Sequence, residues 1–159
     1  MFGYLIRSPM PHFGLMDSEE MKPDEASLLR ARLHIRGGKR RLSQGKYAAG
    51  VAALHDALIH GMQWFLLSTH PELVYTDADC DITDDETLLQ LIQKTPIFAD
   101  PIYKEDFEYL SEILNQALNE RMNGFDKTRY MRTLHNFMKQ LEVEPFSDSD
   151  LPPEDPATY

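Results

Sequence analysis

Residues 45–67 constrain the fold more than any other part of this chain. Read as a helix from Lys46, this segment places apolar side chains at alternating steps of four and three along one face. They are Tyr47, Val51, Leu54, Leu58, Met62 and Phe65. A second stripe adjoins the first and consists of Ala48, Ala52, Ile59 and Leu66. A helix that is apolar over about half of its circumference needs neighbours on two sides, so the segment predicts the central helix of a bundle.

Four other segments show helical patterns. They are residues 23–44, 84–94, 104–122 and a last helix from the N-cap Asp126 to 142. The second of these follows Thr83 and contains Glu86, a spacing that predicts a capping box. Gly38 falls on the inner stripe of the first helix, which predicts close packing against a neighbouring helix. The sequence therefore predicts an all-α fold, an up-and-down antiparallel bundle of four to five helices.

The chain divides into three parts by composition. Residues 1–22 predict an N-terminal arm that packs on the bundle or on a partner, because they carry aromatic residues among prolines and glycines. Residues 23–142 form the helical bundle domain. Residues 143–159 are an acidic, proline-rich tail without a basic residue, and we expect it to be disordered or held only by contact with something basic.

Length and cysteine content indicate a single cytoplasmic domain. The 159 residues suffice for one sizeable core and are too few for two. The single cysteine, Cys80, excludes a disulfide within the chain and favours a reducing compartment. No apolar run approaches the roughly 20 residues of a membrane helix, and the N-terminal segment lacks the cleavage site of a signal peptide. We therefore expect a cytoplasmic protein without a membrane partner.

The positive charge of the chain is concentrated in one stretch. The formal net charge of −10 argues against a protein that coats nucleic acid with its whole surface. No acidic residue lies between Glu25 and Asp56, however, and seven basic residues fall in that interval. They are Arg30, Arg32, Arg36, Lys39, Arg40, Arg41 and Lys46. This asymmetry predicts a basic patch on an otherwise acidic protein.

The two helices that flank Gly45 resemble the HEPN family of small helical domains. The residues that carry the resemblance are Leu42, Gly45, Tyr47, Ala48, Val51, Ala57, His60 and the run Phe65, Leu66 and Leu67. The resemblance covers residues 26–68 in detail and residues 84–141 by helix pattern. It implies an antiparallel bundle that forms a homodimer and binds RNA or nucleotides. It also implies a small nucleotidyltransferase as a partner, or a toxin–antitoxin component that cleaves RNA without a metal.

The cleaving members of that family carry an arginine and, four to six residues further on, a histidine in the last long helix. Arg129 and His135 match this spacing here, and Tyr130 takes the place of the polar residue that often follows the arginine. His135 would move a proton at the 2′-hydroxyl, and Arg129 or Arg132 would stabilise the phosphate charge. Six helical residues separate Arg129 from His135 by about 120° of rotation, whereas Arg132 and His135 share a face. The alternative is the solvated flank of an amphipathic helix.

Two hypotheses for the basic patch remain open from the sequence. In the first, phosphates of RNA or a nucleotide bind to Arg36, Lys39, Arg40, Arg41 and Lys46. In the second, the patch neutralises the acidic tail or the acidic face of a partner, and the protein is a non-catalytic helical adaptor. Such an adaptor would recognise its partner through the N-terminal arm or the acidic tail. We expect no cofactor and no metal, because an EF-hand reading of the loop from Asp77 fails at Ile82 and Leu88.

Overall fold

The computed structural model describes residues 21–76 and 80–158, and over these ranges the secondary structure is helical without a strand. The helices in this part of the chain are α1 (Pro23–Ser43), α2 (Tyr47–Thr69), α3 (Pro71–Tyr75), α4 (Asp85–Gln93), α5 (Pro101–Leu118) and α6 (Lys127–Gln140). Short 3-10 helices follow at Asp148–Asp150 and Pro156–Thr158. The predicted all-α bundle is confirmed. Of the predicted N-terminal arm, all but residues 21 and 22 lies outside the described residues.

Helices α1 and α2 form an antiparallel hairpin whose backbones approach closely at two glycines. Gly45 makes the turn between the helices with φ of +78°, a left-handed conformation that suits glycine. A Cβ atom on Gly38 would lie 2.5 Å from Cγ of Leu54 and 3.1 Å from the carbonyl oxygen of Gly50. A Cβ atom on Gly50 would lie 2.7 Å from Cδ2 of Leu42. The close packing predicted at Gly38 is therefore confirmed.

Helix α2 lies at the centre of the bundle and contacts all the other α-helices of the described ranges. Its predicted inner stripe is buried at Val51, Leu54, Leu58, Met62 and Phe65. Each such side chain contributes about 1.5–3 kcal/mol by leaving water. Tyr47 and Ala52, at the edges of the two stripes, are exposed instead. The wide apolar arc thus correctly predicted a helix with neighbours on several sides.

Two helix starts differ from the sequence-based prediction. The capping box at Thr83 and Glu86 is wrong, because the N-cap of α4 is Asp84, whose carboxylate accepts hydrogen bonds from the amide and the hydroxyl of Thr87. Thr83 bonds to the carboxylate of Asp81 instead. Helix α5 begins at Pro101, earlier than predicted, because Asp100 caps it and proline is favourable in the first turn.

The end of α6 directs the chain back across the bundle. Asp126 caps the start of this helix as predicted, by accepting a hydrogen bond from the amide of Arg129. Beyond its end, Glu142 adopts a left-handed conformation with φ of 64°. The next residue, Val143, is fully buried, and its Cγ2 lies 3.0 Å from where a Cβ atom on Gly61 would be. The chain after α6 therefore packs on the helical hairpin.

None of the helices in the described ranges combines the length and the apolar character needed to cross a membrane.

Candidate functional site

Four basic side chains of α1 contact the C-terminal segment. They are Arg32, Arg36, Lys39 and Arg40, and we call them the basic face. Three of them lie four residues apart, and Lys39 adjoins Arg40, so the helix presents all four on one side. We call residues 143–158 the acidic tail. The basic face and the acidic tail together form the most extensive polar contact between distant parts of the described chain.

Two ion pairs connect the side chains of the basic face and the acidic tail. Nε of Arg40 lies 2.9 Å from Oε2 of Glu154, and the two side chains are 14% and 20% exposed. Nζ of Lys39 lies 3.6 Å from Oε2 of Glu144, which is 11% exposed. The other oxygen of Glu144 lies 2.6 Å from Nδ1 of His135 in α6. Glu144 therefore bridges α1 and α6 in a partly buried position, where ion pairs are screened less than on the open surface.

Two arginines of the basic face bind the backbone of the acidic tail rather than its carboxylates. Nε of Arg32 donates a hydrogen bond to the carbonyl oxygen of Val143 at 3.0 Å. Nη1 of Arg36 donates one to the carbonyl oxygen of Pro152 at 2.7 Å. Hydrogen bonds from a charged donor contribute more than neutral ones, about 1.5–3 kcal/mol. The tail is thus held as a peptide and not only as a set of negative charges.

Apolar contacts add to the polar ones. The guanidinium of Arg32 lies 5.4 Å from the ring centroid of Phe146, within the range of a cation–π interaction. Burial lowers the pKa of Arg32, and the negative charge of Asp150 opposes this shift. Leu151 is buried, and Phe146 packs against the hydrophobic core. The tail therefore combines carboxylates, carbonyl oxygens and apolar anchors in one short segment.

The other two predicted phosphate-binding residues lie beyond this contact. The side chains of Arg41 and Lys46 form no hydrogen bond and no ion pair with the described residues. Lys46 lines an open depression of about 430 Å³ beside the turn between α1 and α2. Tyr47, Glu120 and Met122 also line it. The five predicted phosphate ligands thus divide into three that contact the acidic tail and two that do not.

The predicted catalytic residues contact different partners. The guanidinium of Arg129 lies 4.1 Å from the ring centroid of Tyr109 in α5. His135 contacts Glu144 of the acidic tail, as described above. Arg132 is exposed. Burial raises the pKa of Tyr109, and the positive charges of Arg129 and Arg132 oppose this shift. Tyr130, at the position of the missing polar residue, is completely buried. Arg129 and His135 therefore occupy different surroundings on α6.

A second polar cluster, not predicted from the sequence, joins α1 and α2 around Asp56. Its Oδ2 lies 3.4 Å from Nε of Arg30 and 3.3 Å from Nδ1 of both His34 and His60. Burial alone would raise the pKa of Asp56, but the hydrogen bond from His60 and the nearby positive charges outweigh it and lower the pKa to about 2. The sequence indicated this cluster only by two pairs of polar residues one helical turn apart, Arg30 with His34 and Asp56 with His60. Their meeting depends on the register of the two helices.

His55 lies in the core between α2, α4 and α5. Its side chain is 6% exposed, and neither ring nitrogen has a hydrogen-bond partner among the described residues. Its Nε2 lies 3.7 Å from Oδ2 of Asp85, and its ring faces Phe107 at 6.1 Å between centroids. Burial lowers the pKa of His55, and the charge of Asp85 opposes this shift. The ring is therefore a neutral core group at neutral pH.

Among the described residues, no group of three or more His, Cys, Asp and Glu side chains is suited to hold a metal ion. Comparisons with protein-family models, with curated proteins and with solved structures give no match to this chain. A functional proposal therefore depends on the geometry of the basic face and of the last helix.

Proposed function

We propose that this protein is a cytoplasmic, non-catalytic helical adaptor that binds a protein partner. The observation that carries the proposal is the seating of the acidic tail on the basic face, with hydrogen bonds from Arg32 and Arg36 to peptide carbonyl oxygens. Hydrogen bonds to main-chain groups are characteristic of surfaces that recognise peptides. A helical surface that holds one acidic segment is suited to hold another.

The surroundings of the basic face favour a peptide ligand over a polyanion. The basic face contacts two carboxylates and two peptide carbonyl oxygens, and a peptide offers acceptors of both kinds. The net charge of −10 adds long-range repulsion between the protein and a nucleic acid.

The last helix supports the non-catalytic part of the proposal. A metal-free ribonuclease needs its proton-transfer group and its cation within reach of one phosphate. Arg129 stacks on Tyr109, whereas His135 is engaged by Glu144, so the two side chains point to separate partners.

An RNA assay tests the proposal directly. The full-length protein is incubated with a labelled single-stranded RNA at low salt, beside the double variant Arg129→Ala/His135→Ala. The adaptor function predicts no cleavage by either protein. Cleavage by the wild type that is lost in the variant, with the fold retained in circular dichroism, would overturn it.

A second candidate is a HEPN-like module that binds RNA or nucleotide phosphates, as a homodimer or together with a small nucleotidyltransferase. Two observations favour this candidate. The side chains of Arg41 and Lys46 form no hydrogen bond and no ion pair with the described residues, and Lys46 lines the open depression. The double charge reversal Arg41→Glu/Lys46→Glu would abolish RNA or nucleotide binding under this candidate. Affinity that survives the reversal would exclude these two residues as the phosphate site.

A further inference from the structure

We propose that the basic face of α1 is a docking surface for an acidic segment of a partner protein, and that the acidic tail is a built-in competitor which this segment displaces. This inference rests on the adaptor function proposed above. It adds the place of binding, the chemistry of the ligand and the part of the chain that must move.

The contacts of the tail define the chemistry of the ligand. Going along the segment, the basic face and its surroundings hold a carboxylate (Glu144), an aromatic ring (Phe146), a buried aliphatic side chain (Leu151), a proline carbonyl (Pro152) and a second carboxylate (Glu154). Hydrogen bonds to carbonyl oxygens supply affinity without regard to sequence, whereas the ring and the carboxylates select for sequence. The partner segment is therefore acidic, and it carries an aromatic residue near its first carboxylate.

Such a segment loses little conformational entropy when it adopts its bound conformation. Leu151 is extended, with φ of −106° and ψ of 153°, and Pro152 and Pro153 follow it. Each proline fixes its own φ in the unbound chain, so less conformational entropy is lost on docking. A proline-containing acidic segment gains the most from this effect.

The tail can leave the basic face while the helices of the bundle stay in place. Beyond Val143 its regular structure is limited to two single-turn 3-10 helices. Its side-chain ion pairs are peripheral to the core. Release of the part beyond Val143, which is itself fully buried, takes Leu151 out of a buried position and Phe146 away from the core. The free energy of releasing the tail is therefore that of a docked peptide and not that of a helix of the bundle.

The tail does not satisfy every donor of the basic face. Nε of Arg36 is buried and has no hydrogen-bond acceptor among the described residues. An unsatisfied buried donor weakens a complex, since it has lost its water and gained no partner. A partner segment that offers an acceptor at this point would bind more tightly than the tail does.

The covalent link gives the tail a concentration advantage. A segment joined to the end of α6 experiences the basic face at an effective concentration on the order of millimolar. A free peptide of equal intrinsic affinity therefore binds the wild-type chain only weakly. Weakening the tail in place, without altering the basic face, should make the site accessible.

The experiment measures binding of a fluorescent peptide with the sequence of residues 143–158 to full-length protein by anisotropy. The wild type is compared with the variant Glu144→Gln/Glu154→Gln, which loses the carboxylates that pair with Lys39 and Arg40. We expect the variant to bind the peptide roughly five- to thirty-fold more tightly than the wild type, because the competing tail is weakened by two partly buried pairs.

Two controls separate docking from general charge effects. The variant Glu108→Gln/Glu112→Gln makes the same change in net charge at exposed positions of α5, and it should bind the peptide as weakly as the wild type does. Adding Arg36→Gln and Arg40→Gln to the variant Glu144→Gln/Glu154→Gln, which we call the tail-weakened variant, should return peptide affinity to the wild-type level or below it. Far-UV circular dichroism and thermal melting verify that each variant is folded. Where a variant is unfolded, hydrogen exchange of the tail amides in wild-type protein, with and without saturating peptide, gives the same information, since displacement must speed that exchange.

Three outcomes would overturn the inference. In the first, the tail-weakened variant does not bind the peptide at millimolar concentration. In the second, its affinity for the peptide is unchanged when Arg36 and Arg40 are replaced. In the third, it binds RNA in preference to the peptide. The first two leave the adaptor function standing with its surface elsewhere. Cleavage of the RNA would remove the adaptor function as well.

Discussion

Gly37 and Gly38 are adjacent in α1, yet their surroundings differ. A Cβ atom on Gly38 would collide with Leu54 and approach the backbone of Gly50, neither of which can move without shifting α2. A Cβ atom on Gly37 would lie 3.0 Å from Nη1 of Arg41, the end of a long side chain that can rotate away. Gly38 is thus needed for helix packing, and Gly37 is not.

We predict that Gly38→Ala lowers the free energy of unfolding by about 1–3 kcal/mol, because overpacking outweighs the gain in helix propensity. Gly37→Ala is the matched control and should leave stability unchanged or raise it by up to about 1 kcal/mol. Urea unfolding followed by circular dichroism measures both. Equal effects of the two substitutions would contradict the close approach of α1 and α2.

His55 predicts a pH dependence of stability. Because burial lowers its pKa below 6.5, the unfolded chain takes up a proton at this residue at higher pH than the folded chain does. The stability contributed by the neutral ring is present above pH 6.5 and is lost as the pH falls from there through the folded pKa. In His55→Gln this titration is absent, so unfolding free energy should fall less steeply with decreasing pH than in the wild type, by at most about 1.4 kcal/mol per pH unit. Urea unfolding at several pH values gives the slopes, and parallel slopes would refute the assignment.

At the scale of elements, the start of α4 illustrates what a local sequence signal can resolve. The run from Thr83 to Glu86 correctly predicts the start of a helix, because it offers hydroxyl and carboxylate acceptors ahead of an apolar pattern. Two neighbouring residues could serve as N-cap, and propensity alone does not separate them. Asp81 decides between them, since it binds Thr83 and leaves Asp84 to cap the helix.

We predict that Asp84→Ala destabilises the protein by about 0.5–2 kcal/mol through loss of the helix cap. Thr83→Ala should cost less than about 0.5 kcal/mol, because its exposed hydroxyl forms a hydrogen bond only with Asp81 among the described residues. Thermal unfolding of the two variants compares them under identical conditions. A larger effect at Thr83 would restore the capping box predicted from the sequence.

At the scale of the whole molecule, the opposite charges of α1 and the acidic tail make one part of the structure sensitive to salt. Raising the ionic strength from 0.1 M to 1 M shortens the screening length from about 10 Å to about 3 Å. We predict faster hydrogen exchange at the tail amides of Asp150 and Leu151, with little change in the amides of α2, whose stability comes from apolar burial. Mass spectrometry of peptic fragments measures both regions. Tail exchange that is independent of salt would show that Leu151 and Phe146, rather than the ion pairs, retain the tail.

The sequence by itself determined the existence of the five longer helices and the centre of the bundle, although it did not predict the short helix α3. The apolar stripes of α2, the cap at Asp126 and the small residue at Gly38 act within one helix or at one contact, so their meaning follows from helical periodicity and local chemistry. Sequence also presented a concentrated run of bases and a tail of acids, but it left a phosphate site and self-neutralisation as equal alternatives.

Only the tertiary structure decided which charges meet. Arg40 and Glu154 are separated by most of the chain, and their contact depends on the direction in which α6 ends and on the path of the tail over α1. The cluster around Asp56 likewise needs the register of α1 against α2. Such pairings are set by packing of the whole bundle, because the attraction between charges is too long-ranged and non-directional to specify one partner among many along the chain.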